Sequence, residues 1–319
     1  MSLLPELRFF LHAPLVLVVG MQPVAGALTH PGWSSWLPRA AAAVALLAAT
    51  VGLPALLAAG AALASYSRTL ATGRDAWWLR GPAGRRRGAL LLRLLFRAGA
   101  GSGARALARR MAAAARDKAR ALARAGAPRN GVVFAGSSTF TYWLALERDM
   151  HAAGVPAGVG CVNAGFGGAC SRDVLDALDA HVLTLQPRVI VYFAGTNNIN
   201  LFGCEEDAAA DFAAFVARVH AALPAARIIF LAATVTPFVR LRGEALVRRF
   251  DSLNSMARTF VASPAAGGRV EFVASGDFQA RDESYLGDCH HLRPEGHAAL
   301  ARLLAPAVIR ALEATEAGK

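Results

Sequence analysis

Cysteine is scarce, and no pair of cysteines has the spacing of a metal site. The chain has Cys161, Cys170, Cys204 and Cys289, and none of them forms a Cys-x-x-Cys pair, so we expect no zinc centre. A chain of 319 residues is long enough to bury its own core, so a disulfide framework is not needed and the thiols are expected to be free. The sequence also contains no internal repeat, which disfavours a repeat architecture.

Acidic residues are nearly absent from the middle of the chain. Residues 67–129 hold 16 Lys and Arg but only Asp75 and Asp117, a net charge of +14. Residues 1–66 have a net charge of +1 and residues 130–319 a net charge of −3. The basic character of the protein therefore belongs to this one segment and not to the C-terminal part.

Two basic helices are predicted inside this segment, over Ala89–Arg97 and Ala104–Ala125. Basic residues beside an apolar span are typical of its cytoplasmic flank. A basic amphipathic helix can also lie on anionic lipid, where each basic residue contributes about 1 kcal/mol. Nucleic-acid binding is disfavoured, because the segment has no recognition motif and no interleaved aromatic residues. We therefore interpret residues 68–129 as a basic, helical juxtamembrane linker.

Charged residues are missing from residues 40–66 and rare before them. We predict two transmembrane helices, at about residues 9–28 and 40–66, which makes residues 1–67 a membrane anchor. A competing interpretation of the first run is a cleaved secretory signal, with Arg8 before it and Ala25–Ala27 as a possible cleavage site. With the basic segment inside, the C-terminal domain is predicted on the cytoplasmic face of a bacterial-type inner membrane.

From residue 130 onward, short apolar runs alternate with helix-like stretches. Such runs are typical of strands buried on both faces, and the alternation predicts a doubly wound α/β domain with a parallel sheet of five strands over residues 130–319. The predicted strands are Val132–Ala135, Val159–Val162, Val189–Phe193, Ile228–Ala232 and Val270–Val273. The predicted helices are about Phe140–Glu147, Asp173–Leu183, Asp207–Ala222, Glu244–Val261 and Pro294–Ala314.

The first of these strands is followed by Gly136, Ser137 and Ser138. Small residues there predict a tight turn from strand to helix, and in an open α/β sheet the chemistry lies at the carboxyl ends of the strands. Ser138 is therefore a candidate nucleophile near the start of a helix, where partial positive charge favours an anion. The alternative is that the two serines only cap the next helix.

Three more clusters should reach the same edge of the sheet: Asn163–Gly168, Gly195–Asn198 and Asp288–Leu292. A serine hydroxyl needs a base to take its proton, and the last cluster offers His291 for this, with Asp288 to orient and stabilise the imidazole. Taken alone, this Asp–His pair is more often a surface ion pair. The order of all the clusters along the chain favours a catalytic interpretation.

The developing oxyanion of such a reaction needs hydrogen-bond donors that are already in place. The candidates are the backbone N–H groups of Ser138 and Gly168 and the side-chain amide of Asn197. A glycine at position 168 would let the backbone approach the substrate closely. Taken singly, Gly168 is more often a turn residue and Asn197 a helix cap.

The C-terminal domain resembles the SGNH/GDSL-type serine hydrolases over about residues 130–315. Gly136-Ser137-Ser138 is similar to the Gly-Asp-Ser first block of that family, and Gly168 to the glycine of the second. Gly195-Thr196-Asn197 is similar to the third block, and Asp288-x-x-His291 to the last. The resemblance implies a flavodoxin-like sheet and ester or thioester hydrolysis without a metal or other cofactor. It also implies Ser138, His291 and Asp288 as the triad, and Ser138, Gly168 and Asn197 as the oxyanion hole.

The sequence departs from the family pattern at three places. Ser137 replaces the aspartate of the first block, a variant familiar in esterase-like branches. Asn198 stands where aspartate is usual. Cys289 and His290 lie between Asp288 and His291, so His290 is a rival base, although the Asp-x-x-His spacing favours His291.

Together these features predict a membrane-anchored serine esterase that forms an acyl-enzyme. Two alternatives remain open: an acyltransferase that uses the same triad on a saccharide acceptor, and a non-catalytic domain tethered to the membrane. Candidate substrate contacts follow strand ends, and anchoring suggests a lipid-derived or other small ester as substrate, while no protein partner is identified. These candidate contacts are Phe166, Thr234, Val235, Phe238 and Arg240.

Overall fold

The computed structural model describes residues 53–101, 104–275 and 281–317, and within them a sheet of five parallel strands lies at the centre of the fold. The strand order β2-β1-β3-β4-β5 is that of a flavodoxin-like doubly wound sheet, which confirms the predicted architecture. The strands are β1 Val132–Gly136, β2 Cys161–Asn163, β3 Val189–Phe193, β4 Arg227–Leu231 and β5 Val270–Val273. Each predicted strand is present, with bounds shifted by at most two residues.

Helices cover both faces of the sheet and continue N-terminal to it. Their bounds are α1 Leu53–Thr72, α2 Gly81–Gly101, α3 Ala104–Arg124, α4 Ser138–Thr141, α5 Leu146–Ala152, α6 Ser171–Asp176, α7 Leu178–His181, α8 Thr196–Phe202, α9 Glu205–Ala222, α10 Pro237–Leu241, α11 Glu244–Val261 and α12 Pro294–Ala317. Two predicted helices were too long. The stretch Phe140–Glu147 is divided between α4 and α5, and Asp173–Leu183 is divided between α6, α7 and a short 3-10 turn.

Alternate residues of each central strand pack into cores on opposite faces of the sheet. In β1, Val133 belongs to the core under α6, α7 and α9, together with Phe212 and Phe215. Phe134 belongs to the opposite core, under α5 and α12, together with Leu304. Burying one such side chain contributes about 1.5–3 kcal/mol. The strand ends, and the loops that follow them, are therefore fixed by packing on both faces.

The segment N-terminal to the sheet packs against the loop that precedes α12. In α1, Tyr66 is 4% exposed and forms a cluster with Trp78, Leu79 and Leu91. The indole nitrogen of Trp78 donates a hydrogen bond to the Ser65 hydroxyl at 3.0 Å. The part of the chain predicted to be an anchor and a linker thus contributes to the folded unit from residue 62 onward.

In the described ranges, no helix is both long and apolar enough to cross a membrane. The first predicted span, residues 9–28, and residues 40–52 of the second lie outside these ranges. Residues 53–66, the end of the second predicted span, form the first part of α1.

Candidate active site

The turn after β1 is built around Gly136. A Cβ atom at this position would lie 2.2 Å from the carbonyl oxygen of Phe193 in β3, so only glycine fits there. Ser137 follows at the N-cap of α4, but its side chain forms no cap hydrogen bond. Its carbonyl oxygen instead accepts bonds from the backbone N–H groups of Phe140 and Thr141. The capping interpretation thus finds no support at Ser137, and Ser138 begins α4 with its side chain half-buried.

Asp288 and His291 form a hydrogen-bonded pair in the loop before α12. The distance between His291 Nδ1 and Asp288 Oδ2 is 2.6 Å. Asp288 is fully buried, and its Oδ1 accepts the backbone N–H groups of His290 and His291, each at 2.9 Å. Burial alone would raise the pKa of Asp288, but the nearby His291 and these hydrogen bonds keep it well below its usual value. The buried carboxylate is therefore ionised and ready to stabilise a charged imidazole.

The His291 ring lies beside the turn that carries Ser138. Its centroid is 5.1 Å from that of Tyr142, in an edge-to-face arrangement, and the backbone N–H of Tyr142 donates to the Ser138 carbonyl at 3.0 Å. From α12, His297 Nε2 lies 3.1 Å from the carbonyl oxygen of Thr139. Among the described residues, no hydrogen bond joins the Ser138 hydroxyl to His291, and catalytic contacts of this kind often tighten only when substrate binds.

His290 has different surroundings from His291. Its Nδ1 lies 3.1 Å from the Thr236 hydroxyl. Burial, with a further contribution from His291, lowers the pKa of His290 to about 3. His290 is therefore neutral at physiological pH and is bonded to Thr236, whereas His291 carries the bond to the buried carboxylate.

Gly168, in the loop after β2, lies next to Ala169, whose carbonyl is bonded to Asn197 near the start of α8. Gly168 has a φ of +83°, a conformation that glycine adopts without strain. The side-chain nitrogen of Asn197 donates to the Ala169 carbonyl at 2.8 Å, and Asn197 is buried. Since an amide nitrogen has two N–H groups, the bond to Ala169 uses only one of them. Helix α3 lies against this loop, because a Cβ atom at Gly168 would be 3.8 Å from Met111 and 3.9 Å from the Arg110 guanidinium.

Asn198, at the position where the family pattern usually has aspartate, has a structural role. Its side-chain oxygen accepts the backbone N–H of Ser171 and its nitrogen donates to the Ser171 hydroxyl, both at 2.9 Å. The same hydroxyl donates to Asp211 at 2.6 Å. Asn198 therefore holds the start of α6 through Ser171.

The candidate substrate contacts have varied surroundings. Phe166 is buried in the core, with its ring 5.2 Å from that of His181. Thr234 is buried and, with His290, lines a cavity of about 20 Å³. Arg240 is exposed and pairs with Asp282 at 3.2 Å. Of the remaining two, Val235 accepts a bond from Arg240 through its carbonyl, and Phe238 packs against Cys289 and Leu92.

Two residues that contact these loops, Tyr66 and Asp75, were missed by the sequence analysis, and a third, Asn163, was named there only as part of the Asn163–Gly168 cluster. Asn163, the last residue of β2, donates to the carbonyl oxygen of Phe140 at 2.5 Å and so connects the end of this strand to the Ser138 turn. Tyr66 and Asp75, from the N-terminal segment, bond to Asp288 and Gly287. The place of Asn163 directly after a predicted strand had put it in that cluster, without a role of its own. Asp75 is one of only two acids in residues 67–129, a signal that the segment is more than a linker.

The four cysteines are free thiols, as expected. Residues 53–101, 104–275 and 281–317 contain no group of three or more His, Cys, Asp or Glu side chains that could hold a metal ion.

Two comparisons, with protein-family models and with curated proteins, place the sequence among known proteins. The model of the GDSL-like lipase/acylhydrolase family matches residues 134–299, which include Ser138, Gly168, Asn197, Asp288 and His291. A comparison with curated proteins gives no match.

A comparison with solved structures finds several that are similar to part of this chain. A Streptococcus pneumonia protein provisionally named a platelet activating factor has a TM-score of 0.50 at 21% identity, over 61% of this chain and 91% of that one. A GDSL-like lipase from Bacteroides thetaiotaomicron has a TM-score of 0.48 at 21% identity, over 62% and 98% of the two chains. The lipase/acylhydrolase from Enterococcus faecalis has a TM-score of 0.47 at 19% identity, over 56% of this chain and 95% of that one. At these identities the likeness concerns the fold alone.

Proposed function

The chain belongs to the GDSL-like lipase/acylhydrolase family and is a serine esterase of that family; on this basis we propose that it cleaves a carboxylic ester or thioester through an acyl-enzyme on Ser138. The observation that carries the proposal is the buried hydrogen bond between Asp288 Oδ2 and His291 Nδ1, at 2.6 Å. The His291 ring in turn packs against Tyr142, which follows the turn that contains Ser138. Nucleophile, base and orienting carboxylate are the parts that acyl transfer needs.

In the acylation step, Ser138 Oγ attacks the carbonyl carbon of the ester and His291 takes its proton. Because Nδ1 of His291 faces Asp288, Nε2 is the nitrogen that accepts the proton. Asp288 stabilises the imidazolium that forms. The tetrahedral intermediate then collapses, the proton on Nε2 passes to the leaving alcohol or thiol, and the acyl group remains on Ser138.

In the deacylation step, water takes the place of the alcohol. His291 accepts a proton from the water as it attacks the acyl carbon, and returns that proton to Ser138 Oγ when the acid leaves. In both steps the oxyanion is bound by the backbone N–H groups of Ser138 and Gly168 and by the free N–H of Asn197. One such donor contributes about 2.7–4 kcal/mol to transition-state stabilisation.

The proposed substrate is a lipid-derived or other membrane-proximal ester, and the surface near α2 and α10 supports it. Leu94 of α2 and Leu241 of α10 are 52% and 68% exposed. The pKa of Arg242 is lowered by burial and by the positive charges of Arg93 and Arg97, so three guanidinium groups lie close together there. Basic groups beside exposed apolar side chains favour binding to anionic lipid.

We also propose that the part of residues 1–67 that precedes the folded unit anchors the enzyme, with its catalytic domain on the cytoplasmic face of an inner membrane. Protease added to sealed inverted vesicles should cleave the catalytic domain. Protection in inverted vesicles and cleavage in right-side-out vesicles would contradict the proposed orientation.

Labelling by a fluorophosphonate probe tests the catalytic proposal. The wild type should be labelled, Ser138→Ala should not, and Ser137→Ala is the matched control that should keep the label. Equal labelling of wild type and Ser138→Ala would contradict the assignment. A panel of p-nitrophenyl esters of increasing acyl length then defines the substrate class.

A further inference from the structure

We propose that Tyr66, on the helix N-terminal to the catalytic domain, is a positioning residue for the Asp288–His291 pair. The Tyr66 hydroxyl donates a hydrogen bond to Asp288 Oδ2 at 2.6 Å and lies 3.4 Å from His291 Nδ1. Oδ2 is the same oxygen that bonds to His291. The inference rests on the proposed function, because it concerns the base of the proposed reaction.

The Tyr66 hydroxyl completes the set of donors around the Asp288 carboxylate. An ionised carboxylate offers about four acceptor positions on its two oxygens. Two backbone N–H groups occupy Oδ1, and His291 and Tyr66 occupy Oδ2. With two donors on each oxygen, the carboxylate plane is fixed, and the direction in which it presents Oδ2 to His291 is fixed with it.

Tyr66 remains a hydrogen-bond donor over the working pH range. Burial, followed by the charge of Asp288 and the hydrogen bond to it, raises the pKa of Tyr66 well above its usual value. Its hydroxyl is therefore protonated wherever the enzyme is folded. Tyr66 contributes a hydrogen bond of constant direction and no charge of its own.

The chain around Tyr66 is fitted to the catalytic loop at several points. Asp75 accepts the backbone N–H of Gly287 at 2.6 Å and bonds to Arg293. A Cβ atom at Gly287 would lie 2.3 Å from the Leu79 carbonyl oxygen, and one at Gly88 would lie 2.1 Å from the Gly287 carbonyl oxygen. The two backbones therefore touch at positions where no side chain fits. All of these N-terminal residues precede residues 134–299, which the family model matches.

The hydrogen bond from Tyr66 to Asp288 also changes the negative charge that Asp288 presents to His291. A donor on Oδ2 withdraws part of the negative charge that stabilises the imidazolium form. The other polar groups near His291 are Asp288 and His290 from its own loop, Tyr142 after α4 and His297 in α12. Of these groups, Asp288 is the one that accepts the bond from the Tyr66 hydroxyl, so removing that hydroxyl acts on His291 through Asp288.

The test is the pH dependence of kcat and kcat/KM for Tyr66→Phe in the full chain. Loss of the donor should lower kcat by about tenfold, the equivalent of one hydrogen bond to a charged group, with KM within about twofold of the wild type. The imidazolium becomes more stable, so the acid limb of the profile should move to higher pH by about half a unit to one unit. Tyr192→Phe is the matched control, because Tyr192 is buried in the core and its hydroxyl has no partner.

A wild-type rate and profile in folded Tyr66→Phe would overturn the inference. If thermal melting shows that the variant is unfolded, fluorotyrosine at position 66 decides the matter, since it is a stronger donor of nearly the same shape. It should move the acid limb to lower pH, and an unchanged profile would again overturn the inference. Failure of the wild type to react with the fluorophosphonate probe would instead contradict the proposed function, whatever Tyr66 does.

Discussion

The carboxylate of Asp75 accepts a hydrogen bond from the backbone N–H of Gly287 at 2.6 Å, one residue before Asp288. Its other oxygen bonds to the Arg293 guanidinium, which in turn donates to the Tyr285 carbonyl. Asp75, a buried acid in the basic segment, thus bonds to both sides of the loop that contains Asp288 and His291.

We expect Asp75→Ala to destabilise the protein by about 2–3 kcal/mol, because a buried backbone N–H and a guanidinium lose a charged partner. The urea midpoint measures this, and kcat should fall as the loop loosens. Asp176→Ala, which removes an exposed pair with Arg172, is the control and should cost less than about 1 kcal/mol. Equal effects of the two substitutions would mean that the contact between Asp75 and the loop contributes little.

The two histidines of the loop should differ in their effect on turnover. His291→Ala removes the proposed base and should lower kcat for a short p-nitrophenyl ester by at least about 1,000-fold. His290→Ala removes a neutral ring bonded to Thr236 and should retain most of the activity. Full activity in His291→Ala with none in His290→Ala would assign the base to the other histidine.

Replacing Asn197 should affect the transition state more than substrate binding. Asn197→Ala removes one proposed oxyanion donor, so kcat should fall by about 100- to 1,000-fold while KM changes little. Asn200→Ala, in the same helix, is a suitable control, because the side chain of Asn200 bonds to the Thr196 carbonyl and to Arg242. A rise in KM at constant kcat would show that Asn197 binds the ground state instead.

Stability should decrease as the pH falls from about 6.5 towards 4. Burial lowers the pKa of His297 to about 4, whereas an unfolded histidine titrates near about 6.5. Below that value the unfolded chain takes up a proton that the folded one excludes, so the free energy of unfolding falls. His297 alone should account for about 1.6 kcal/mol between pH 6.5 and pH 5.

Urea unfolding of His297→Gln at pH 7, 6 and 5 tests this, since glutamine keeps a donor for the Thr139 carbonyl but does not titrate. The variant should lose part of the pH slope. A slope unchanged in His297→Gln would show that other groups cause the acid destabilisation.

The sheet could be predicted from the sequence because its strands are short apolar runs buried on both faces, such as Val189–Phe193. The contact between Asp288 and His291 could also be predicted from their spacing, because a separation of three residues in a tight loop brings the two side chains together. Short helices were harder to predict. The break between α4 and α5 depends on tertiary hydrogen bonds, among them the one from Asn163 to the Phe140 carbonyl.

The contact between Tyr66 and Asp288 could not be predicted, since 222 positions separate them along the chain. The uncharged run that ends at Tyr66 is compatible both with a membrane-spanning helix and with a helix buried against protein. Its composition does not distinguish these two possibilities. The family pattern gave no help either, because it begins after the N-terminal segment.

The close packing of Leu79 and Gly88 against Gly287 has a consequence for the expression of truncated forms of this enzyme. A fragment starting at β1 would retain every residue of the family motifs, yet it would expose Asp288 to solvent and leave Arg293 without Asp75. Poor turnover by such a fragment would reflect the missing cover and would say nothing against the chemistry assigned to Ser138.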